Sequence, residues 1–306
     1  EEWGKKKLKK ERVLGEFVSS NPTGPLHIGH ARGAVLGNII SNLLSNQGYE
    51  VTKEYYVNDA GRQINILALS IMLETFQNKI NKEGLYQGSY IKDLAKKFME
   101  AKLVDEINNP LDNFSDDPDE RIDQLISHYK KDSPKTWIQI RDFSVNEMIK
   151  LIKDDLSRMG ILHDEWFFES SLGSIEKKGS SVTQALEELV QSQNSCEKDG
   201  AIWFDGTKYG DDKDRVLLRA NKEPTYYLTD VGYHKDKIDR NYDHYINIFG
   251  ADHHGYVARL TSAFNLIKKP KQNIEHILYQ LVNLYEGGRK NTCLLYTSDA
   301  ADESVC

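Results

Sequence analysis

The first patterned stretch of the chain, Val13-Leu14-Gly15-Glu16-Phe17-Val18, follows a short run of Lys and Arg and precedes the turn-forming Asn21-Pro22-Thr23-Gly24-Pro25, so it predicts a strand. The period then changes. Ile28, Ala31, Val35, Ile39 and Leu43 recur at three and four, which predicts an amphipathic helix to about Asn46 with Gly48 as its stop. Tyr49 to Val57, rich in β-branched and aromatic residues, predicts a second strand. Strand, helix and strand in so short a span make a right-handed βαβ unit and imply a parallel sheet. A helical pattern follows from Gln63 to about Ile80, and a stronger one runs through Val145, Met148, Ile149, Ile152, Leu156 and Met159 to Gly160. Beyond it, short strand-like runs alternate with turn signals: Glu165–Phe168, Ala201–Phe204, Val216–Arg219, Tyr245–Phe249 and 276–284. No repeat of fixed period is present. The simplest organisation is an α/β fold with a doubly wound parallel sheet, in two halves at about 16–75 and 215–292, separated by a long, largely helical insertion at about 76–214.

Composition narrows the class. The 306 residues carry 40 Lys and Arg against 47 Asp and Glu, a net charge of −7, with 39% hydrophobic and 28% charged residues, as in ordinary globular proteins. No apolar run approaches the roughly 18 residues of a membrane span, and the N-terminal residues lack the apolar segment of a signal peptide. Cys196, Cys293 and Cys306 have neither disulfide-framework nor zinc spacing, so a reducing cytoplasm is expected. An acidic balance argues against a nucleic-acid partner. That argument is weakened because eight acids sit in Asp105 to Asp123, which reads as a solvated loop.

The chemistry concentrates at Asn21-Pro-Thr-Gly-Pro25-Leu-His27-Ile-Gly29-His30-Ala-Arg-Gly33. It joins a predicted strand to a predicted helix, where the carboxyl edge of a parallel sheet presents a helix N-terminus, a site suited to anions. His27 and His30, three apart, point to one side and can donate to phosphate oxygens. Gly29 leaves room for a flat ring, and Gly29, Gly33 and Gly37, four apart, let the helix pack closely. The segment matches neither the dinucleotide fingerprint nor the P-loop. Two capping or packed histidines remain the plain alternative.

The His-Ile-Gly-His quartet in this setting is the signature of class I aminoacyl-tRNA synthetases and related nucleotidyltransferases. The longer run EFVSSNPTGPLHIGHARGA, with YYVNDAGRQI, FFESSL, DGAIWF, GDDKDRVL, TYYLTDVGYH and FGADHHGYVARL in the same order, resembles the arginyl-tRNA synthetase family from about Glu16 to Gly288. The resemblance implies a Rossmann-like class I catalytic domain over 16–292 that takes L-arginine, ATP and tRNA(Arg), with Mg²⁺ on the phosphates, in a cytoplasmic monomer without membrane contact. A guanidinium presents five donors in a rigid fork and keeps its charge, so its pocket needs fixed anionic acceptors. By resemblance Glu16, Asn21, Tyr226, Asp230 and His254 line that pocket. Tyr226 and Asp230, four apart, share a face if their segment is helical; a core tyrosine and a surface cap are the alternative. Pro25, His27, Gly29, His30, Gly250, Asp252 and His253 are assigned to ATP, with His27 and His30 also catalytic through the phosphates. His253 and His254 as zinc ligands would need partners at metal spacing, which the sequence does not offer.

The implied reaction has two steps. The arginine carboxylate attacks the α-phosphate of ATP and releases pyrophosphate, and the terminal ribose of the tRNA then takes the arginyl group from the adenylate. Departures from the family are expected to matter. Residues 1–15 read as the remnant of an N-terminal domain or linker, and no anticodon-binding domain follows. The second signature loop, which should come after Gly287-Gly288-Arg289-Lys290, is replaced from about Cys293 by a tail that reads as non-native appended sequence, so the catalytic fragment is expected to be inactive alone. Two rival readings remain: a stand-alone nucleotidyltransferase acting on a small substrate, and a non-catalytic arginine- or tRNA-binding module.

Overall fold

The computed structural model describes residues 6–77, 80–101, 114–280, 282, 285–286 and 289–290. In chain order it contains β1 (Arg12–Phe17), α1 (Ile28–Asn46), β2 (Glu50–Val57), α2 (Gly61–Thr75), α3 (Ser89–Glu100), α4 (Pro118–Asp132), α5 (Pro134–Arg158) and β3 (Glu165–Phe168). There follow α6 (Ser181–Gln191), β4 (Ser195–Lys198), β5 (Ala201–Phe204), β6 (Arg215–Leu218), α7 (Tyr226–Asp239), β7 (His244–Gly250), α8 (His254–Ile267) and β8 (Asn273–Tyr279). The chain divides into two compact units, one of Glu1–Ser19, Gly29–Val57 and Ile161–Val282, the other of Ser20–Ile28, Asn58–Gly160 and Asn283–Cys306.

The first unit is built on a five-stranded sheet in the order β3-β2-β1-β7-β8, parallel throughout. This is the Rossmann-like doubly wound order, and the chain reverses direction across the sheet between β1 and β7. Alternation along β1 sends neighbouring side chains to opposite faces. Phe17 lies against α1, where a Cβ on Gly37 would fall 2.2 Å from its ring, and one on Gly33 would fall 2.6 Å from the Tyr279 hydroxyl. The predicted glycine stripe thus sets the approach of α1 at two of its three positions. Leu14 faces the other way, into a core of Ile238, Tyr242, Tyr245 and Phe264. A three-stranded antiparallel sheet, β4-β5-β6, shares a second core with α6 and α7 through Val182, Leu189, Phe204, Leu217 and Leu228.

The second unit is helical. Ile71, Phe98, Leu125, Trp137 and Ile140 belong to one buried cluster from α2, α3, α4 and α5. Two expectations change here. The acidic stretch is not all loop, because α4 begins at Pro118: Asp117 caps it by accepting from the Glu120 amide at 2.9 Å, and Asp119 and Glu120 in the first turn favour the positive helix end. Helix α5 begins at Pro134, well before Val145, since Trp137 and Ile140 continue the buried stripe between polar residues. The range 76–214 is of mixed kind, because Glu165–Phe168 pairs with β2 as an edge strand of the main sheet. Residues 102–113 and 291–306, the latter including the tail and its second-signature position, lie outside the described residues.

Candidate active site

Parallel register places Glu165, Glu54, Glu16, Asn247 and His276 opposite one another on β3, β2, β1, β7 and β8. Register partners share a face, so a polar row crosses the whole sheet. Helix α7 covers it with Tyr233 and Lys237, and Arg240 follows just past the helix end. Arg240 holds both oxygens of the buried Glu54, with Nη2 3.2 Å from Oε1, and reaches Glu165 at 2.8 Å. The Tyr233 hydroxyl lies 2.6 Å from Glu54 Oε1 and 3.1 Å from Glu16 Oε2. Lys237 Nζ donates to the same Glu16 Oε2 and, at 3.0 Å, to Asn247 Oδ1. His234 Nδ1 donates to the Asp230 carbonyl at 2.8 Å, which leaves Nε2 to accept from the Asn247 amide at 3.5 Å. Burial, then the charge of Lys237, pushes the His234 ring down to about 3, so it is neutral at pH 7.

One turn before Tyr233, Asp230 sits in different surroundings. Burial raises its carboxyl well above the usual carboxylate range, and the charges of Glu169 and Glu16 raise it further, with Arg259 in partial opposition. It accepts from the Tyr256 hydroxyl on α8, and among the described residues no ion pair neutralises it. Glu169, which begins the short 3-10 turn after β3, accepts from the Tyr56 hydroxyl at 2.7 Å. Burial and then the charges of Glu169 and Asp230 push that phenol upward. Asp230 therefore feels the negative charge of two further carboxylates, Glu16 and Glu169, and Glu16 has the buried Lys237 against it. Such a place favours an incoming cation.

Of the residues singled out in the sequence, Glu16, Tyr226, Asp230, Gly29, His30, Gly250, Asp252, His253 and His254 fall in the first unit, and Asn21, Pro25 and His27 in the second. Glu16 is 4% exposed, and Asp230 is near enough to feel its charge. Tyr226 opens α7 on the face of Asp230 and is 66% exposed; Thr225 caps that end by accepting from the Leu228 amide at 3.3 Å. The inward tyrosine is Tyr227, whose hydroxyl donates to the Arg259 carbonyl at 3.3 Å. Asn21 donates to Gln63 Oε1 at 2.6 Å. His27 and Pro25 are half-buried, and His30 lies in the first turn of α1. Gly250 ends β7, and Asp252 folds back toward it, 3.5 Å from His253. His253 and His254 are exposed at the start of α8.

Across residues 1–290 the chain matches the family model described as tRNA synthetases class I (R), catalytic domain. The chain belongs to the arginyl-tRNA synthetase family. It is 40% identical over 289 residues to the arginine–tRNA ligase of Vesicomyosocius okutanii, covering 92% of this chain and 50% of that protein. Against the Legionella pneumophila arginine–tRNA ligase it is 40% identical over 295 residues, 91% of this chain and 49% of the relative. A solved Campylobacter jejuni structure named for an arginyl-tRNA synthetase superposes with a TM-score of 0.77 at 36% identity, covering 95% of this chain and 59% of that one. The chain thus spans about half the length of the arginyl-tRNA synthetases it matches in sequence.

Sequence reasoning missed Lys237, Tyr233, Glu169 and Tyr56. For the first two the signal was present, since Tyr226, Asp230, Tyr233 and Lys237 follow the 4-3-4 spacing of one helix face. Glu169 had a weaker one, a single acid directly after a strand-like run.

Proposed function

We propose that this chain carries the amino-acid activation site of an arginine–tRNA ligase, which joins L-arginine to AMP at the expense of ATP and passes it to tRNA(Arg). The observation that carries the reading is the buried Asp230, which feels the charges of Glu16 and Glu169, is opposed only in part by Arg259, and among the described residues forms no ion pair of its own. A guanidinium is a planar, permanently charged group with parallel donors, and it suits carboxylates disposed around a slot. Asp230 and Glu16 are assigned to the guanidinium. Tyr226, on the same helix face and open to solvent, Asn21 and His254 are assigned to the remainder of the amino acid.

ATP is assigned to the helix N-termini that follow β1 and β7, with Pro25, His27, Gly29 and His30 at the first and Gly250, Asp252 and His253 at the second. Orphan amides and histidine donors there suit phosphate oxygens. The arginine carboxylate attacks the α-phosphate in line, pyrophosphate leaves, and His27 and His30 hold charge on the phosphates; positioning and electrostatics supply most of such catalysis. The tRNA 3′-terminal hydroxyl then attacks the arginyl carbonyl, AMP leaving. No described cluster of three His, Cys, Asp or Glu could cage a metal. Mg²⁺ would therefore enter with the triphosphate and its waters, where it would neutralise phosphate charge. The same reading makes the whole enzyme a cytoplasmic monomer.

Calorimetry with L-arginine, L-lysine and L-citrulline tests the reading. Saturable binding of arginine, with citrulline and lysine at least tenfold weaker and Asp230→Asn abolishing it, is expected. A folded chain that binds citrulline as well as arginine overturns it, because the neutral isostere lacks the charge that the acid cluster selects.

A further inference from the structure

We propose that Lys237 is a positioning residue for the arginine substrate: it holds one oxygen of Glu16 so that the other faces the guanidinium. This rests on the reading of the Asp230 cluster as the arginine pocket. Glu16 Oε2 takes both contacts, from Lys237 Nζ and from the Tyr233 hydroxyl at 3.1 Å. Among the described residues Oε1 accepts no hydrogen bond. The carboxylate is thus held by one side only.

Lys237 is itself fixed. Its ammonium is 1% exposed, donates to Asn247 at 3.0 Å, and lies 4.3 Å from the centre of the Tyr233 ring. Asn247 is in turn oriented by the neutral His234. Burying a lysine and a glutamate together gains little stability over an apolar pair, because desolvation offsets the attraction. What the pair does supply is a carboxylate with a fixed direction and a defined charge beside Asp230. Stripped of its cation, a buried carboxylate takes up a proton or turns toward water. Either change removes an acceptor from the guanidinium.

The surroundings agree: Asp230 feels the charge of Glu16, and the one lysine on Glu16 is engaged at Oε2, so the substrate guanidinium is left to meet Oε1 and Asp230. The lysine is two turns from Asp230 on the same face of α7, so a single helix carries an acid of the pocket and the counter-charge of its neighbour.

Two neutral replacements, Lys237→Gln and Lys237→Met, and the charge-keeping Lys237→Arg test this in the 306-residue chain by arginine calorimetry, at a temperature where circular dichroism shows each variant folded. Two neutral variants guard against one failing to fold. The expected result is at least a tenfold loss of arginine affinity in the neutral variants, with Lys237→Arg within threefold of the parent. A folded neutral variant that binds arginine within threefold of the parent overturns the proposal. So does Lys237→Arg binding as weakly as the neutral variants, since shape and not charge would then matter. A parent chain that binds no arginine is a different result, which removes the pocket reading itself and the proposal with it.

Discussion

Asp230 shows most directly how a buried acid can be costly to the fold, and the proposed arginine pocket gives that cost a use. Its folded pKa lies above the unfolded value of about 3.9, so the native state binds the proton more tightly than the unfolded one. Its contribution to stability is therefore fully present below the unfolded pKa and is lost as pH rises through the folded one. At neutral pH Asp230→Asn should raise stability by about 1 kcal/mol, or ~2–4 °C in Tm, while removing arginine binding. Differential scanning calorimetry at pH 7 and pH 4 checks the sign, since the gain must shrink at the lower pH; a loss of stability at pH 7 would contradict this account. Binding carries a second consequence. A guanidinium beside Asp230 favours the ionised form, so arginine should expel a fraction of a proton, read as a dependence of the calorimetric enthalpy on buffer ionisation. An enthalpy independent of buffer would mean that Asp230 is already ionised in the empty pocket.

At the scale of elements, what could be read in the sequence depended on whether one pattern dominated. Helix α1 and strand β2 were legible in extent because a three-four period gives way to a β-branched run, but the face of α1 was not. Ile28, Val35, Ile39 and Leu43 are exposed, and Gly33, Ala34, Gly37 and Ser41 are the buried side, because the close approach to Phe17 and Tyr279 needs small residues there. Helix α4 was not, because acidic residues suggest solvent while Asp117, Pro118 and the buried Ile122, Leu125 and Tyr129 build a capped helix. Strand β3 has only four residues, and nothing in so short a run tells a sheet edge from a hairpin. The site followed the same rule. The spacing of Tyr226 and Asp230 could be read, whereas the pairing of Glu16 with Lys237 needs β1 and α7 brought together from distant parts of the chain. The glycines of α1 give an element-level prediction. Gly37→Ala puts a methyl 2.2 Å from the Phe17 ring and should cost about 1–3 kcal/mol by overpacking, read from the denaturant midpoint at unchanged slope. A neutral effect would mean that α1 shifts freely on the sheet.

For the molecule as a whole, the strand order matters more than any one motif. A parallel sheet whose order reverses between β1 and β7 opens its crevice at their carboxyl ends, and helices α1 and α8 start just after those ends. The polar row beneath α7 lies within the same sheet, so the fold supplies two chemically distinct places: helix N-termini suited to phosphate and an acid cluster suited to guanidinium. If each place does its own work, the two ligands should be separable by mutation. His30→Ala removes a donor near the α1 N-terminus and should weaken ATP about tenfold, in line with roughly 1.5 kcal/mol for a charge-assisted contact, while arginine affinity stays within threefold. Asp230→Asn should do the reverse. Calorimetry of both variants against both ligands gives the four affinities needed, and a loss of both ligands in either folded variant would show that the two places act as one. Equal affinity for ATP in His30→Ala would move the phosphate contacts away from the His-Ile-Gly-His segment, and the anion role of that helix terminus would have to be abandoned.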